Sequence, residues 1–116
     1  MYRVTPRTWV IGAYASALVP LLLAPPAMAD DAKKRAYGQH LSRECTTCHR
    51  IDGTDNGIPS IIGWPAEDFV TTLRYYKEGL RPNAAMQSVA QSLEDDEFQA
   101  LAMFFGALPK PPPKKP

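Results

Sequence analysis

The stretch "ECTTCHR", from Glu44 to Arg50, contains both cysteines and one of the two histidines of this 116-residue chain. Two residues separate Cys45 from Cys48, and His49 follows the second cysteine directly. Both thiols of the chain are therefore concentrated, with an imidazole, in one short segment. If these residues bind a metal or a prosthetic group, that group can complete the core of so small a chain, so the chemistry of the segment comes first.

Four chemistries use cysteines at this spacing. A structural zinc site needs four ligands, and the only further candidate of the usual kind is His40, on a predicted helix. A thioredoxin-like redox pair is expected in a βαβ setting, and no segment alternates with the two-residue period of a strand. A bare disulfide leaves His49 without a role. Covalent attachment of a c-type haem uses all three residues, since Cys45 and Cys48 form thioether bonds and His49 ligates the iron.

We therefore predict one covalently bound haem c, anchored by Cys45 and Cys48, with His49 as an iron ligand. A disulfide or a thiol redox pair without haem is the alternative. The prediction agrees with the size of the chain, because domains this small commonly need a prosthetic group, a metal or disulfides to complete their core.

Residues 1–29 have the composition of an export signal. Arg3 and Arg7 precede an uncharged, mostly apolar segment, and Ala27 and Ala29 supply small residues at the two positions that a signal peptidase reads. The apolar segment is shorter than the roughly 20 residues of a membrane-spanning helix, although an uncleaved anchor is the alternative. We predict cleavage after Ala29, a periplasmic location and no membrane insertion after cleavage. The formal net charge of +1 and the lack of a basic stripe argue against a nucleic-acid partner.

Residues 30–108 are predicted to form one all-α domain, with three to four helices and long loops wrapped around the haem. Apolar residues at helical spacing predict helices over 30–45, 64–79 and 92–108. Ser92 and Asp95 resemble a capping box at the start of the last helix. The segments between these helices are predicted to be loops. Residues 109–116, "PKPPPKKP", are predicted to be an exposed, disordered tail.

The second axial ligand of the iron decides between electron transfer and the binding of a gas or substrate. Met86 lies in a predicted loop, which is flexible enough to reach the second face of the haem. Met103 lies inside the last helix, where core packing is the simpler role. His40 shares a helix with Cys45 and would have to reach around the ring. We predict Met86 as the second ligand, with Met103 or an open position as alternatives.

The segment from Lys33 to Leu108 resembles the small monohaem class I cytochromes c of bacteria, which have His/Met ligation. The matching features are the attachment motif, Gly38, an aromatic at Phe104 or Phe105, "PSIIG" at 59–63 and "RPNAAM" at 81–86. The resemblance implies the cytochrome c fold, a crossing of the first and last helices at Gly38, and a hydrogen bond from His49 to the carbonyl of Pro59. Arg50 stands where the family usually has glycine, which we expect to alter the haem edge and partner surface.

The segment 75–105 is also similar to the cytochrome subunits of flavocytochrome c sulfide dehydrogenases. That similarity implies one-electron transfer, with a flavoprotein sulfide dehydrogenase subunit as the redox partner and no activity of the chain alone on sulfide. Two other functions stay open. The chain can be a free-standing soluble cytochrome that serves a terminal oxidase or another redox enzyme. Alternatively, it can be an open-site haem protein that acts as a peroxidase or binds a gas.

Overall fold

The computed structural model describes residues 25–112. The predicted export segment up to residue 24 and the last four residues of the tail lie outside the described residues, so cleavage after Ala29 stays a prediction. The helices are α1 (Pro26–Cys45), α2 (Ala66–Lys77), α3 (Ala84–Gln91) and α4 (Asp95–Gly106). Within residues 25–112 there is no strand, which confirms the predicted all-α class. None of the helices in this range combines the length and the apolar character needed to cross a bilayer.

Helix α1 begins earlier than the predicted start at Asp30. Pro26 occupies the first helical turn, where its fixed φ is favourable and its missing N–H costs nothing. The alanines and the methionine that follow are strong helix formers, so the helix runs through the predicted cleavage site without interruption. The predicted end at Cys45 is confirmed.

Helices α1 and α4 cross at Gly38, which is buried although its neighbours along α1 are exposed. A Cβ atom at Gly38 would lie 1.9 Å from the carbonyl oxygen of Ala100 and 2.5 Å from its carbonyl carbon. Only glycine permits two helix backbones to approach this closely. The predicted crossing of the first and last helices at Gly38 is therefore confirmed.

The hydrophobic core lies between α2 and α4 and under the loop that joins α1 to α2. Phe98, Leu101 and Phe105 of α4 have the largest fully buried side chains, and the ring of Phe69 from α2 stacks on Phe105 at 5.7 Å. The backbone N–H of Gly63 donates to the carbonyl of Phe105 at 2.9 Å, which ties the end of the loop to α4. These contacts confirm the predicted apolar faces of α2 and α4.

Helix α3 occupies a segment that was predicted to be a loop, and that prediction is wrong. Asn83 caps the helix, because its side-chain oxygen accepts a hydrogen bond from the backbone N–H of Met86 at 3.0 Å. Met86 consequently lies in the first turn of a helix that packs against α2. The predicted capping box is displaced as well: Ser92 closes α3, and the residues that form the box of α4 are Glu94 and Glu97.

Candidate functional site

The segment after Cys45 closes the C-terminal end of α1. The last carbonyls of a helix lack partners within the helix and need other donors. Here the N–H of Thr46 donates to the Ser42 carbonyl at 2.9 Å, and the hydroxyl of Thr47 donates to the Glu44 carbonyl at 2.8 Å. The backbone N–H of His49 donates to the Cys45 carbonyl at 2.9 Å. The segment is therefore held by the helix end, and both cysteines and His49 have defined positions.

His49 turns inward at this point. It is buried, with 8% of its surface exposed, whereas Cys48 and Arg50 on either side are exposed. Its Nδ1 atom lies 2.7 Å from the carbonyl oxygen of Pro59. A carbonyl only accepts hydrogen bonds, so Nδ1 carries a proton, and in the neutral ring Nε2 then keeps a free lone pair. The carbonyl thus orients the ring and fixes the tautomer that a metal ligand requires.

The two thiols differ in their surroundings, and neither is in a disulfide. Cys45 is half-buried and packs against the hydrophobic core, whereas Cys48 is exposed. Burial, with a smaller contribution from the negative charge of Glu44, raises the pKa of the Cys45 thiol to about 11. Because neither cysteine is in a disulfide, both thiols are available for covalent attachment, and both lie in one short segment next to the buried imidazole of His49.

Met86 is half-buried on α3 and packs against the same hydrophobic core as Cys45. Met103 is also half-buried, on α4, but does not belong to the residues that pack against that core. The structure thus places Met86 and the Cys-x-x-Cys-His segment on two separate elements that border one core. A short capped helix, rather than a flexible loop, determines the position of Met86.

Three further contacts around the site were not predicted from the sequence. The indole N–H of Trp64 donates to the carbonyl of Ser60 at 3.0 Å, directly after Pro59 in the chain. Lys110 and Pro111, in the predicted tail, lie against Gly63 and Gly53. Asparagine directly after Pro82 and before two alanines can indicate a helix cap such as Asn83. No sequence pattern indicates the contacts of Lys110 and Pro111.

His40 is exposed on α1 and lines a shallow groove of about 500 Å³ with Arg43, Ile51 and Phe104. Neither His49 nor Met86 lines that groove. Within residues 25–112 no three side chains of the His, Cys, Asp or Glu types come together as a metal site.

The residues present do fit a c-type haem. Two free thiols are available for thioether bonds, a buried imidazole has its Nε2 lone pair free, and a half-buried thioether lies on a second element of the same core. Soft, neutral methionine sulfur together with imidazole is a ligand pair used by cytochrome iron. The fit rests on the chemistry of these donors and on the orientation of His49 by Pro59.

Comparison with known proteins agrees with this fit. No protein-family model matches the chain. The chain is 35% identical over 88 residues to the cytochrome subunit of sulfide dehydrogenase from Chlorobaculum tepidum, covering 75% of this chain and 78% of the relative. It is 35% identical over 67 residues to a thiosulfate dehydrogenase electron acceptor from Thiomonas intermedia, covering 55% of this chain and 31% of the relative.

A second thiosulfate dehydrogenase electron acceptor, from Stutzerimonas stutzeri, is 32% identical over 97 residues, covering 78% of this chain and 45% of the relative. The chain thus spans less than half the length of the two thiosulfate dehydrogenase acceptors, but most of the length of the sulfide dehydrogenase subunit. The chain belongs to the bacterial monohaem cytochromes c, a family in which it is similar to the cytochrome subunit of sulfide dehydrogenase.

Proposed function

We propose that the chain is a periplasmic one-electron carrier with a single covalently attached haem c and His/Met ligation. When bound, the haem would supply the redox chemistry, because its iron would change between the ferric and ferrous states. Cys45 and Cys48 would hold the haem through thioether bonds, and His49 and Met86 would ligate the iron. The observation that carries the proposal is the buried His49 ring, whose Nδ1 is bound to the Pro59 carbonyl at 2.7 Å beside two free thiols.

The protein supports electron transfer by holding these groups in place. The Pro59 carbonyl keeps the imidazole in one orientation and one tautomer, and the capped helix α3 holds Met86 against the core. Two ligands held by well-packed elements change position little between oxidation states, which keeps the reorganisation cost of electron transfer low. The buried apolar side chains of α2 and α4 exclude water from the interior.

The ligand assignment is tested with two methionine variants. The purified oxidised protein should show a weak absorption band near the red edge of the spectrum, which sulfur–iron ligation produces. Met86→Ala should abolish this band, whereas the control Met103→Ala should retain it. The opposite result would assign the ligation to Met103.

Retention of haem in a denaturing gel tests the thioether bonds independently. Loss of that haem signal in a Cys45→Ala, Cys48→Ala double variant would show that the bonds are made by these two cysteines.

Carbon monoxide discriminates the carrier from an open-site haem protein. If His49 and Met86 both ligate the iron, the ferrous protein would resist this ligand, because Met86 would first have to leave. Rapid binding to the untreated ferrous protein would favour a peroxidase or a gas binder.

The periplasmic location is tested by cell fractionation together with N-terminal sequencing. The sequence of the mature protein should begin at Asp30 if the export signal is cleaved after Ala29.

For the physiological partner, we propose a flavoprotein sulfide dehydrogenase subunit that passes electrons to this chain. The support is the similarity to the cytochrome subunit of sulfide dehydrogenase, of which this chain covers 78%. Purification of the native protein should then yield a flavin-containing complex that reduces the haem when sulfide is added, whereas the isolated chain should not react with sulfide.

A thiosulfate dehydrogenase is the second candidate partner, because two relatives are named as its electron acceptors. In that case the cytochrome should be purified without flavin, and a thiosulfate-oxidising enzyme should reduce it. A free-standing carrier for a terminal oxidase would instead be oxidised rapidly by membranes that contain that oxidase. Measuring all three electron-transfer rates with one preparation ranks the candidates directly.

A further inference from the structure

The C-terminal segment lies across the loop that carries the haem-binding groups. This loop, residues 50–63, begins directly after His49 and includes Pro59. Its first turn is closed by a hydrogen bond from the Gly53 N–H to the Arg50 carbonyl at 3.0 Å. Asp52 stabilises the same turn, since it pairs with Arg50 at 3.0 Å and accepts from the Thr54 N–H at 2.9 Å. The start of the loop is therefore well ordered although most of its residues are exposed.

Pro111 covers this turn. Gly53 has a φ of +73°, and a Cβ atom at this position would lie 2.7 Å from Cγ and 2.8 Å from Cδ of Pro111. Gly53 is the buried residue of an otherwise exposed stretch from 50 to 59. The pyrrolidine ring thus sits directly on the backbone of the turn, where any side chain at position 53 would exclude it.

Lys110 and Leu108 contact the other end of the loop. Gly63 has a φ of +67°, and a Cβ atom there would lie 2.8 Å from Cγ of Lys110 and 3.3 Å from the carbonyl oxygen of Leu108. The Gly63 N–H also donates to the carbonyl of Phe105, in the last turn of α4. Both ends of the loop are therefore in contact with the segment that follows α4.

Proline makes this attachment possible with few contacts. The residue has a fixed φ and loses little conformational freedom when it docks. Residues 109, 111 and 112 are prolines, so the chain leaving α4 is already extended and stiff. Residues 109–112 were predicted to belong to a disordered tail, but the contacts of Lys110 and Pro111 extend the packed region to at least residue 111.

We propose that residues 108–111 are a positioning strap, which holds the loop at Gly53 and Gly63 and thereby keeps the Pro59 carbonyl on His49. The role rests on the proposed function, because it acts on the orientation of a haem ligand. Pro111 lies against Gly53 and Lys110 lies against Gly63. They act through the loop, whose two ends they hold while the Pro59 carbonyl lies between them.

The test compares Pro111→Gly with the control Pro112→Gly in the haem-containing full chain. Both variants make the same change to the backbone, but Pro112 is exposed and contributes none of the three atoms nearest to a Cβ at Gly53 or at Gly63. Hydrogen exchange of the peptide that covers residues 50–63 measures the opening of the loop. In the reduced protein, the exchange rate of the His49 Nδ1 proton, measured by NMR, reports on the hydrogen bond to Pro59.

We expect faster exchange in Pro111→Gly at both the loop amides and the His49 Nδ1 proton. One fully buried CH₂ group is worth a factor of about four in an equilibrium constant, so loss of three ring carbons, if the loop buries less than half of each, predicts about a fivefold increase. Amides of α2 and α4 should stay within about twofold of the original protein, which shows that the helical core is intact. Pro112→Gly should match the original protein throughout.

Three results would overturn the proposal that residues 108–111 position the loop. The first is an exchange rate in Pro111→Gly equal to that in Pro112→Gly, which would show that the Pro111 ring does not hold the loop. The loop amides can exchange faster while the His49 proton does not, which shows that the loop is not positioning the ligand. A uniform loss of protection in all helices would show a general effect on stability instead. Failure of the proposed function is recognised separately, because the purified protein would then contain no covalently bound haem.

Discussion

Replacing Gly38 by alanine tests the crossing of α1 and α4. Alanine is the better helix former by about 1 kcal/mol, so an isolated helix would gain stability from this change. In the folded protein the new methyl group would lie 1.9 Å from the Ala100 carbonyl oxygen. The obstacle is backbone and cannot rotate away, so the two helices must separate by roughly 1.4 Å to restore a contact distance of about 3.3 Å.

That separation determines the size of the effect. A gap of 0.5–1 Å already removes about a quarter to a half of the dispersion energy of a contact, and each contact is worth about 0.1–0.2 kcal/mol. If about 40 atom pairs lose half of their attraction, the cost is about 3 kcal/mol. Subtracting the gain in helix propensity leaves a net loss of about 2 kcal/mol in the free energy of unfolding.

Denaturation in guanidinium chloride, followed by far-UV circular dichroism, measures this loss. For a protein of this size a loss of 2 kcal/mol lowers the midpoint by about 1 M. Gln39→Ala, at the exposed neighbour on α1, is the control and should change stability by less than about 0.5 kcal/mol. Adding Ala100→Gly to Gly38→Ala should give no rescue, because the atom in the way is a carbonyl oxygen rather than a side chain.

A raised midpoint in Gly38→Ala would refute the close approach of the two backbones, since helix propensity would then be the dominant effect. Rescue by Ala100→Gly would show that the obstruction comes from the Ala100 side chain and not from the main chain.

Two further predictions concern hydrogen bonds in the described part of the chain. Asn83→Ala removes the cap of α3 and should cost about 1 kcal/mol locally. If Met86 ligates the iron as proposed, the sulfur–iron band should then disappear at a lower temperature, whereas in Asn83→Asp it should persist to the original temperature. Equal melting of the band in all three proteins would contradict a role of the cap in holding Met86. The pKa of Glu97 is lowered by the backbone N–H of Glu94 and then by the hydroxyl of Tyr37, which donates to Glu97 at 2.8 Å. A lowered folded-state pKa contributes stability that is present above the unfolded pKa of about 4.3 and is lost as the pH falls through the folded value. Glu97→Gln should therefore be less stable than the original protein at pH 7, and the difference in the free energy of unfolding should shrink below about pH 4. Tyr37→Phe should show part of this effect. If the urea midpoints of variant and original protein differ by the same amount at every pH, the pKa of Glu97 is not linked to stability.

Periodicity and motif spacing predicted much of the fold. The buried positions of α2 and α4 follow from apolar residues at three- and four-residue intervals, and both helices are long enough for this pattern to be clear. Helix α3 was missed because it has only eight residues, too few to show a period. It depends on the Asn83 cap and on packing against α2, and neither contribution is visible as a local pattern.

The amino-acid sequence by itself predicted the chemistry that we propose for this protein. Covalent haem attachment would be a local property, because Cys45, Cys48 and His49 would have to reach one ring from one segment, and neighbours along the chain carry that signal. The direction of the His49 ring was implied by the family resemblance but not by the motif spacing, and it is the tertiary structure that sets it. Its Nδ1 partner is a carbonyl ten residues away, in a loop whose ends contact residues 108–111 of the C-terminal segment. Such an arrangement depends on contacts between distant parts of the chain, which residue spacing does not encode.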